Sequence, residues 1–139
     1  PLIALPTLKV LSVPVLLTDE LPEDALLCPM IDARRMEVYA EMFDTRLAPL
    51  SPVVAEVVED TSFNEVLLWR KKLVIFGNGA EKCTEVLSDA ICVGVSPSAR
   101  GIVRLAEESF KAEKFEDLAY FEPFYLKEFL VIPSKKKLL

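Results

Sequence analysis

Three short stretches of this 139-residue chain carry residue types that could do chemistry. The first is Ile31-Asp32-Ala33-Arg34-Arg35. An aspartate ending an apolar run beside two arginines is either an acid held at a hairpin tip or half of a local ion pair. At a surface such a pair contributes on the order of 0–1 kcal/mol, so it would matter for local geometry or for a partner. The second is the turn Phe76-Gly77-Asn78-Gly79-Ala80, after an apolar run and before a helical pattern. Glycines there let a ligand approach the backbone, and a following helix N-terminus favours an anion or a polar ring. The third glycine of a dinucleotide fingerprint is missing, so a plain tight strand–helix turn is the competing reading. The third stretch is Phe121-Glu122-Pro123-Phe124-Tyr125-Leu126-Lys127. Its three aromatics around a proline suggest packing over a sheet, where each buried ring would stabilise by roughly 1.5–3 kcal/mol. Packing does not explain Glu122.

The residue types that are missing narrow the chemistry further. The chain has no histidine. That removes Ser-His-Asp and Cys-His nucleophilic catalysis, HExxH metalloproteases and every His-containing zinc site. Carboxylates, lysines and thiols remain. The carboxylates are scattered, and the sequence does not pair two of them for acid–base work. The cysteines, Cys28, Cys83 and Cys92, are odd in number and form no CxxC pair. Neither a disulfide framework nor a structural zinc is expected; each thiol, set in an apolar stretch, is expected to be a buried small hydrophobe in a reducing compartment.

These residues need elements to hold them. The chain is 52% hydrophobic and 27% charged, the balance of a globular domain with a packed core. Pro1–Leu5 reads as a short strand. Thr7 can cap a helix containing Leu8, Val10 and Leu11, which Pro14 should stop or kink. Leu21-Pro22-Glu23-Asp24 is a polar turn. Leu26–Ala33 and Met36–Asp44 read as a hairpin without a glycine at its turn. Val53–Glu59 is a third strand. Ser62-Phe63-Asn64-Glu65 fits a capping box for a helix through Val66, Leu67 and Trp69. Leu73–Phe76 has the wholly apolar pattern of a central strand. After the glycine turn a helix is expected with Cys83, Val86 and Leu87 on one face. A strand Ile91–Val95 follows. Ser96 and Pro97 then open a helix to about Ala112, with Ile102, Leu105, Ala106 and Phe110 as its apolar stripe. Phe121–Leu126 is a last extended segment, and Lys135–Lys137 a solvated basic tail. The order predicts an α/β domain with a mixed sheet and flanking helices.

Net charge is −6, which disfavours direct, strong nucleic-acid binding. No apolar run reaches the roughly 18 residues of a membrane span, so no membrane partner is expected. The start lacks a basic n-region, so no signal peptide is expected either.

Several of these segments resemble one family in order. Pro29-Met30-Ile31-Asp32-Ala33-Arg34-Arg35-Met36-Glu37-Val38-Tyr39 is similar to the IDAR…EVY hairpin of the bacterial TsaB (YeaZ) family. Pro1–Leu8 resembles that family's strand and "sTL" helix start, Gly77-Asn78-Gly79 its GxG turn, and Glu122-Pro123-Phe124-Tyr125-Leu126-Lys127 its EPxYLR segment. The resemblance implies the second subdomain of an actin-like ATPase (ribonuclease-H-like) fold. Residues 1–25 would be a crossover, 26–128 the core and 129–139 a tail, with a first subdomain expected upstream. It implies a non-catalytic partner subunit in tRNA threonylcarbamoyladenosine biosynthesis, cytoplasmic, working with the catalytic paralogue TsaD and the ATPase TsaE. In TsaD a histidine pair holds metal, so a chain without histidine suits the non-catalytic branch. Asp32 and Arg34 would mark a degenerate phosphate loop, and Gly77, Asn78 and Gly79 a degenerate adenosine loop. No resident cofactor is implied, and weak ATP or ADP binding at most, only with the partner subunit. A homodimer is expected in isolation. The glycoprotease label once used in this superfamily gives a peptidase alternative, which would rest on Asp32 and scattered glutamates.

Overall fold

The computed structural model describes residues 1–19, 21–64, 66, 69, 71–95 and 98–127. Its centre is a five-stranded mixed sheet of order β3-β2-β1-β4-β5, formed by β1 (Ala25–Arg34), β2 (Glu37–Ala40), β3 (Val54–Val57), β4 (Lys72–Phe76) and β5 (Ile91–Val93). β1, β2 and β3 pair antiparallel; β4 pairs parallel to β1 and β5 parallel to β4. The expected α/β class, mixed sheet and apolar inner strand are all present.

Alternation along β1 and β4 divides the core between the two faces of the sheet. Leu26, Cys28, Met30 and Ile75 point to one face, where Cys83, Leu87, Val58 and Val66 cover them. Ala25, Leu27, Val74 and Phe76 point to the other, under Leu8 and Leu11 of α1 (Thr7–Ser12) and Leu105 of α2 (Arg100–Lys111). Pro14 does end α1: the chain continues as a 3₁₀ turn, Pro14–Leu17, with the proline at its start. Thr7 is the first helical residue rather than the cap, a place taken by Pro6.

The β1–β2 hairpin forms where expected, and arginines supply the left-handed backbone that its turn needs. Arg34 and Arg35 have φ of 112° and 46°, beside a register shift between Asp32 and Arg34. The predicted strand Met36–Asp44 is interrupted rather than absent. After Ala40 the Met42 amide donates to the Ser51 hydroxyl at 2.9 Å, and Phe43 then resumes pairing with Leu27 in the same register.

Other expectations change. Pro1–Leu5 forms no strand; Leu2 makes one bridge, to Glu116. The helix expected after Gly79 is only a 3₁₀ turn, Glu81–Cys83, followed by further turns. The Thr84 hydroxyl donates to the Glu81 carbonyl at 2.8 Å, a side-chain bond that competes with helix propagation. The buried positions Cys83 and Leu87 were nonetheless correctly placed. The capping box expected at Ser62 rests on Glu65 and so falls outside the described residues. The Ser62 hydroxyl accepts from the Glu59 amide and donates to Glu56; Leu67 also lies outside the described residues, and Trp69 is in a turn. The strand at Ile91 ends at Val93, and Cys92 is exposed on this edge strand rather than buried. On α2, Leu105 is buried but Ile102 and Phe110 are exposed, because the helix meets α1 along the narrow line of Gly101 and Leu105. Phe110 packs edge-to-face on Phe115 instead, with ring centres 5.7 Å apart. Ser96, Pro97 and the Lys135–Lys137 tail lie outside the described residues. Among the described residues no helix is long and apolar enough to cross a membrane.

Candidate functional site

Parallel pairing of β1 with β4 puts the end of β1 beside the turn that follows β4. Asp32 and the Gly77–Gly79 turn, 45 or more residues apart in sequence, therefore meet at the carboxyl ends of adjacent strands. Open α/β sheets place ligands outside these strand ends.

The meeting is bonded throughout. The Gly79 amide donates to the Met30 carbonyl at 3.0 Å. The Asp32 amide donates to Asn78 Oδ1 at 3.1 Å. Asp32 Oδ1 accepts from the Arg34 amide at 3.1 Å, fixing the hairpin turn. The same oxygen is paired with the Lys82 ammonium, which also donates to the Glu37 carbonyl at 2.8 Å. Lys82 thus ties the 3₁₀ turn after β4 to both strands of the hairpin.

The two glycines face inward. A Cβ on Gly77, at φ +102°, would lie 2.5 Å from the Met30 carbonyl oxygen and 2.8 Å from Leu11 Cδ2. A Cβ on Gly79 would lie 2.9 Å from the Asp32 amide nitrogen. The missing side chains make room for β1 itself.

Of the sequence-derived site residues, Asp32, Asn78 and Gly79 are brought into direct contact, and Gly77 packs under them. Arg34 contributes its backbone; among the described residues its guanidinium forms no ion pair. The aspartate's ionic partner is Lys82, not Arg34 or Arg35. Lys82 was missed because a lysine in a charged Glu-Lys dipeptide reads as an ordinary solvated residue, and only the strand pairing brings it to Asp32.

The Asp32 carboxyl is held below its ordinary pKa, first by the Lys82 hydrogen bond and next by the Arg34 amide. It is ionised at neutral pH, so it acts as a fixed anion. A depressed pKa means that its contribution to stability is present above the unfolded-state value and is lost as pH falls through the folded one. Lys82→Met is expected to move the Asp32 pKa back up toward the ordinary carboxylate value, read by carbon-detected NMR titration. An unchanged midpoint would rule out the pair.

Burial pushes the Cys28 thiol well up, and partial desolvation raises those of Cys83 and Cys92, which disfavours the thiolate at all three. Among the described residues no cluster of three or more His, Cys, Asp or Glu side chains could hold a metal ion.

A second feature lies on the α1 side of the sheet. The Phe121–Lys127 segment, expected to pack into the core, instead borders a cleft of about 870 Å³. Phe124 and Tyr125 are 78% and 80% exposed. The segment is held at its end, where Lys127 pairs with Glu37 and lies 6.0 Å above the Tyr39 ring.

No protein-family model matches this chain, and no curated protein matches it. Among solved structures, the crystal structure of an uncharacterized protein with similarity to peptidase YEAZ, from Pseudomonas aeruginosa, matches with a TM-score of 0.64 at 16% identity. The fold is YeaZ-like. The match covers 91% of this chain and 59% of the other, so this chain spans little more than half of that protein's length. At this identity the likeness concerns fold alone. It agrees, at that level, with the resemblance carried by the hairpin, the glycine turn and the Glu122–Lys127 segment.

Proposed function

We propose that this chain is the second-subdomain portion of a TsaB-type subunit, a non-catalytic scaffold in the cytoplasmic complex that makes threonylcarbamoyladenosine in tRNA. Its partners would be the TsaD paralogue and the TsaE ATPase, and its wider fold that of the actin-like ATPases. The carrying observation is the YeaZ-like fold over 91% of the chain, with the IDAR-type hairpin on its central strand. The site geometry adds support. The potential ligand-facing groups of Asp32, Asn78 and the two glycines are engaged with one another and with Lys82, as suits a rigid scaffold. Exposed apolar side chains such as Leu118 and Val103 favour association, with itself or with a partner.

The test is complementation of a TsaB-depleted bacterial strain with the full-length parent gene. Restored threonylcarbamoyladenosine, measured by mass spectrometry of tRNA nucleosides, is expected. Its continued loss despite expression of the protein would overturn the proposal.

The meeting of the Asp32 hairpin and the Gly77–Gly79 turn at the carboxyl ends of adjacent parallel strands favours a second reading, a degenerate nucleotide-binding module. Calorimetric titration with ADP separates the two. A scaffold gives no saturable heat; binding that Asn78→Ala abolishes would favour the nucleotide site.

A further inference from the structure

We propose that the cleft bordered by the Phe121–Lys127 segment binds a small organic cation, a protonated amine carried on an apolar, ring-bearing body. The inference goes beyond the scaffold reading and does not rest on it.

Size and lining set the body of the ligand. At about 870 Å³ the cleft lies inside the range of roughly 300–1,000 Å³ typical of small-molecule sites. Leu5, Val53, Tyr39, Phe121, Phe124 and Tyr125 line it. Phe124 and Tyr125 keep most of their surface open, so their faces are available to an entering ring.

Charge sets the head group. Among the described residues the lining carries the carboxylates Glu41, Glu116 and Glu122 and one cation, Lys127. Lys127 is already paired with Glu37 outside the cleft lining. Glu41 follows β2 and is half-buried in the cleft wall. Desolvation raises its pKa, and Lys9 of α1 only partly offsets this; among the described residues Glu41 makes no ion pair. A partly dehydrated carboxylate without a counter-ion, beside aromatic faces, attracts an ammonium by charge and by cation–π contact together. The chain's own Lys127 shows this at the same wall, its ammonium lying 6.0 Å above the Tyr39 ring. An anion would meet three carboxylates, and a neutral ligand would leave Glu41 unpaired.

The test titrates the chain with 4-phenylbutylammonium, 4-phenylbutan-1-ol and 4-phenylbutanoate, reading amide shifts by NMR. The ammonium is expected to give saturable shifts centred on Ile31, Tyr39, Glu41 and Phe124. The alcohol should bind more weakly and the carboxylate weakest. Glu41→Gln should weaken the ammonium about tenfold, equivalent to roughly 1.4 kcal/mol, and leave the alcohol unchanged. Tyr125→Ala, at an exposed position that the fold does not need, should weaken the ammonium and the alcohol alike. Binding of all three probes with one affinity, shifts centred elsewhere, no saturation, or indifference to Glu41→Gln in a variant with an unchanged amide spectrum would each overturn the proposal. Failed complementation would leave this result standing, since the probes report on the cleft alone.

Discussion

Gly77→Ala is expected to destabilise the chain by about 2–4 kcal/mol, measured as a lowered urea midpoint at unchanged slope. Two independent effects add at this position. The backbone has φ +102°, where an L-residue is strained by about 1–3 kcal/mol. The new Cβ would also lie 2.5 Å from the Met30 carbonyl oxygen. That carbonyl accepts the Gly79 amide, so it cannot swing away without giving up a bond of about 1 kcal/mol. Leu11 Cδ2 at 2.8 Å is a softer obstacle, but it belongs to the packed face of α1. Whole domains are stable by only about 5–15 kcal/mol, so such a loss is a large share. A change below about 0.5 kcal/mol, the scale of a neutral surface substitution, would contradict the close packing of this turn on β1.

The glycine turn shows what could and could not be read from sequence. Its place after an apolar strand was legible, because a run such as Leu73–Phe76 between lysines and glycines fits an inner parallel strand. The hairpin was legible too, from the alternation on either side of Arg34 and Arg35. The direction in which the glycines open was not. Their spacing suits a ligand or a neighbouring strand equally well, and the parallel pairing of β1 with β4 decides for the strand. Lys82 was hidden for the same reason, since its partner is 50 residues away and no local pattern marks it. The helix expected after Gly79 breaks into the 3₁₀ turn Glu81–Cys83 and further turns, where the Thr84 hydroxyl takes up the Glu81 carbonyl, a local bond that apolar periodicity does not register. The exposed Phe124 and Tyr125 were misread because composition records that an aromatic is apolar and does not record whether anything lies above it.

That last point makes a paired prediction with the largest contrast in the chain. Phe76→Ala is expected to destabilise by about 3–5 kcal/mol, and Phe124→Ala by less than about 0.5 kcal/mol. Phe76 ends β4, pairs with Pro29 on one side and Val93 on the other, and is fully buried beneath α1 and α2. Its removal leaves a cavity in a face whose walls are strands and helices, which collapse poorly, so the transfer loss and the cavity loss add. Phe124 is 78% exposed and already in water. Thermal and urea unfolding of the two variants side by side test the division of aromatics between core and cleft. Equal losses would return Phe124 to the core that the sequence first suggested, and would close the cleft as a binding site.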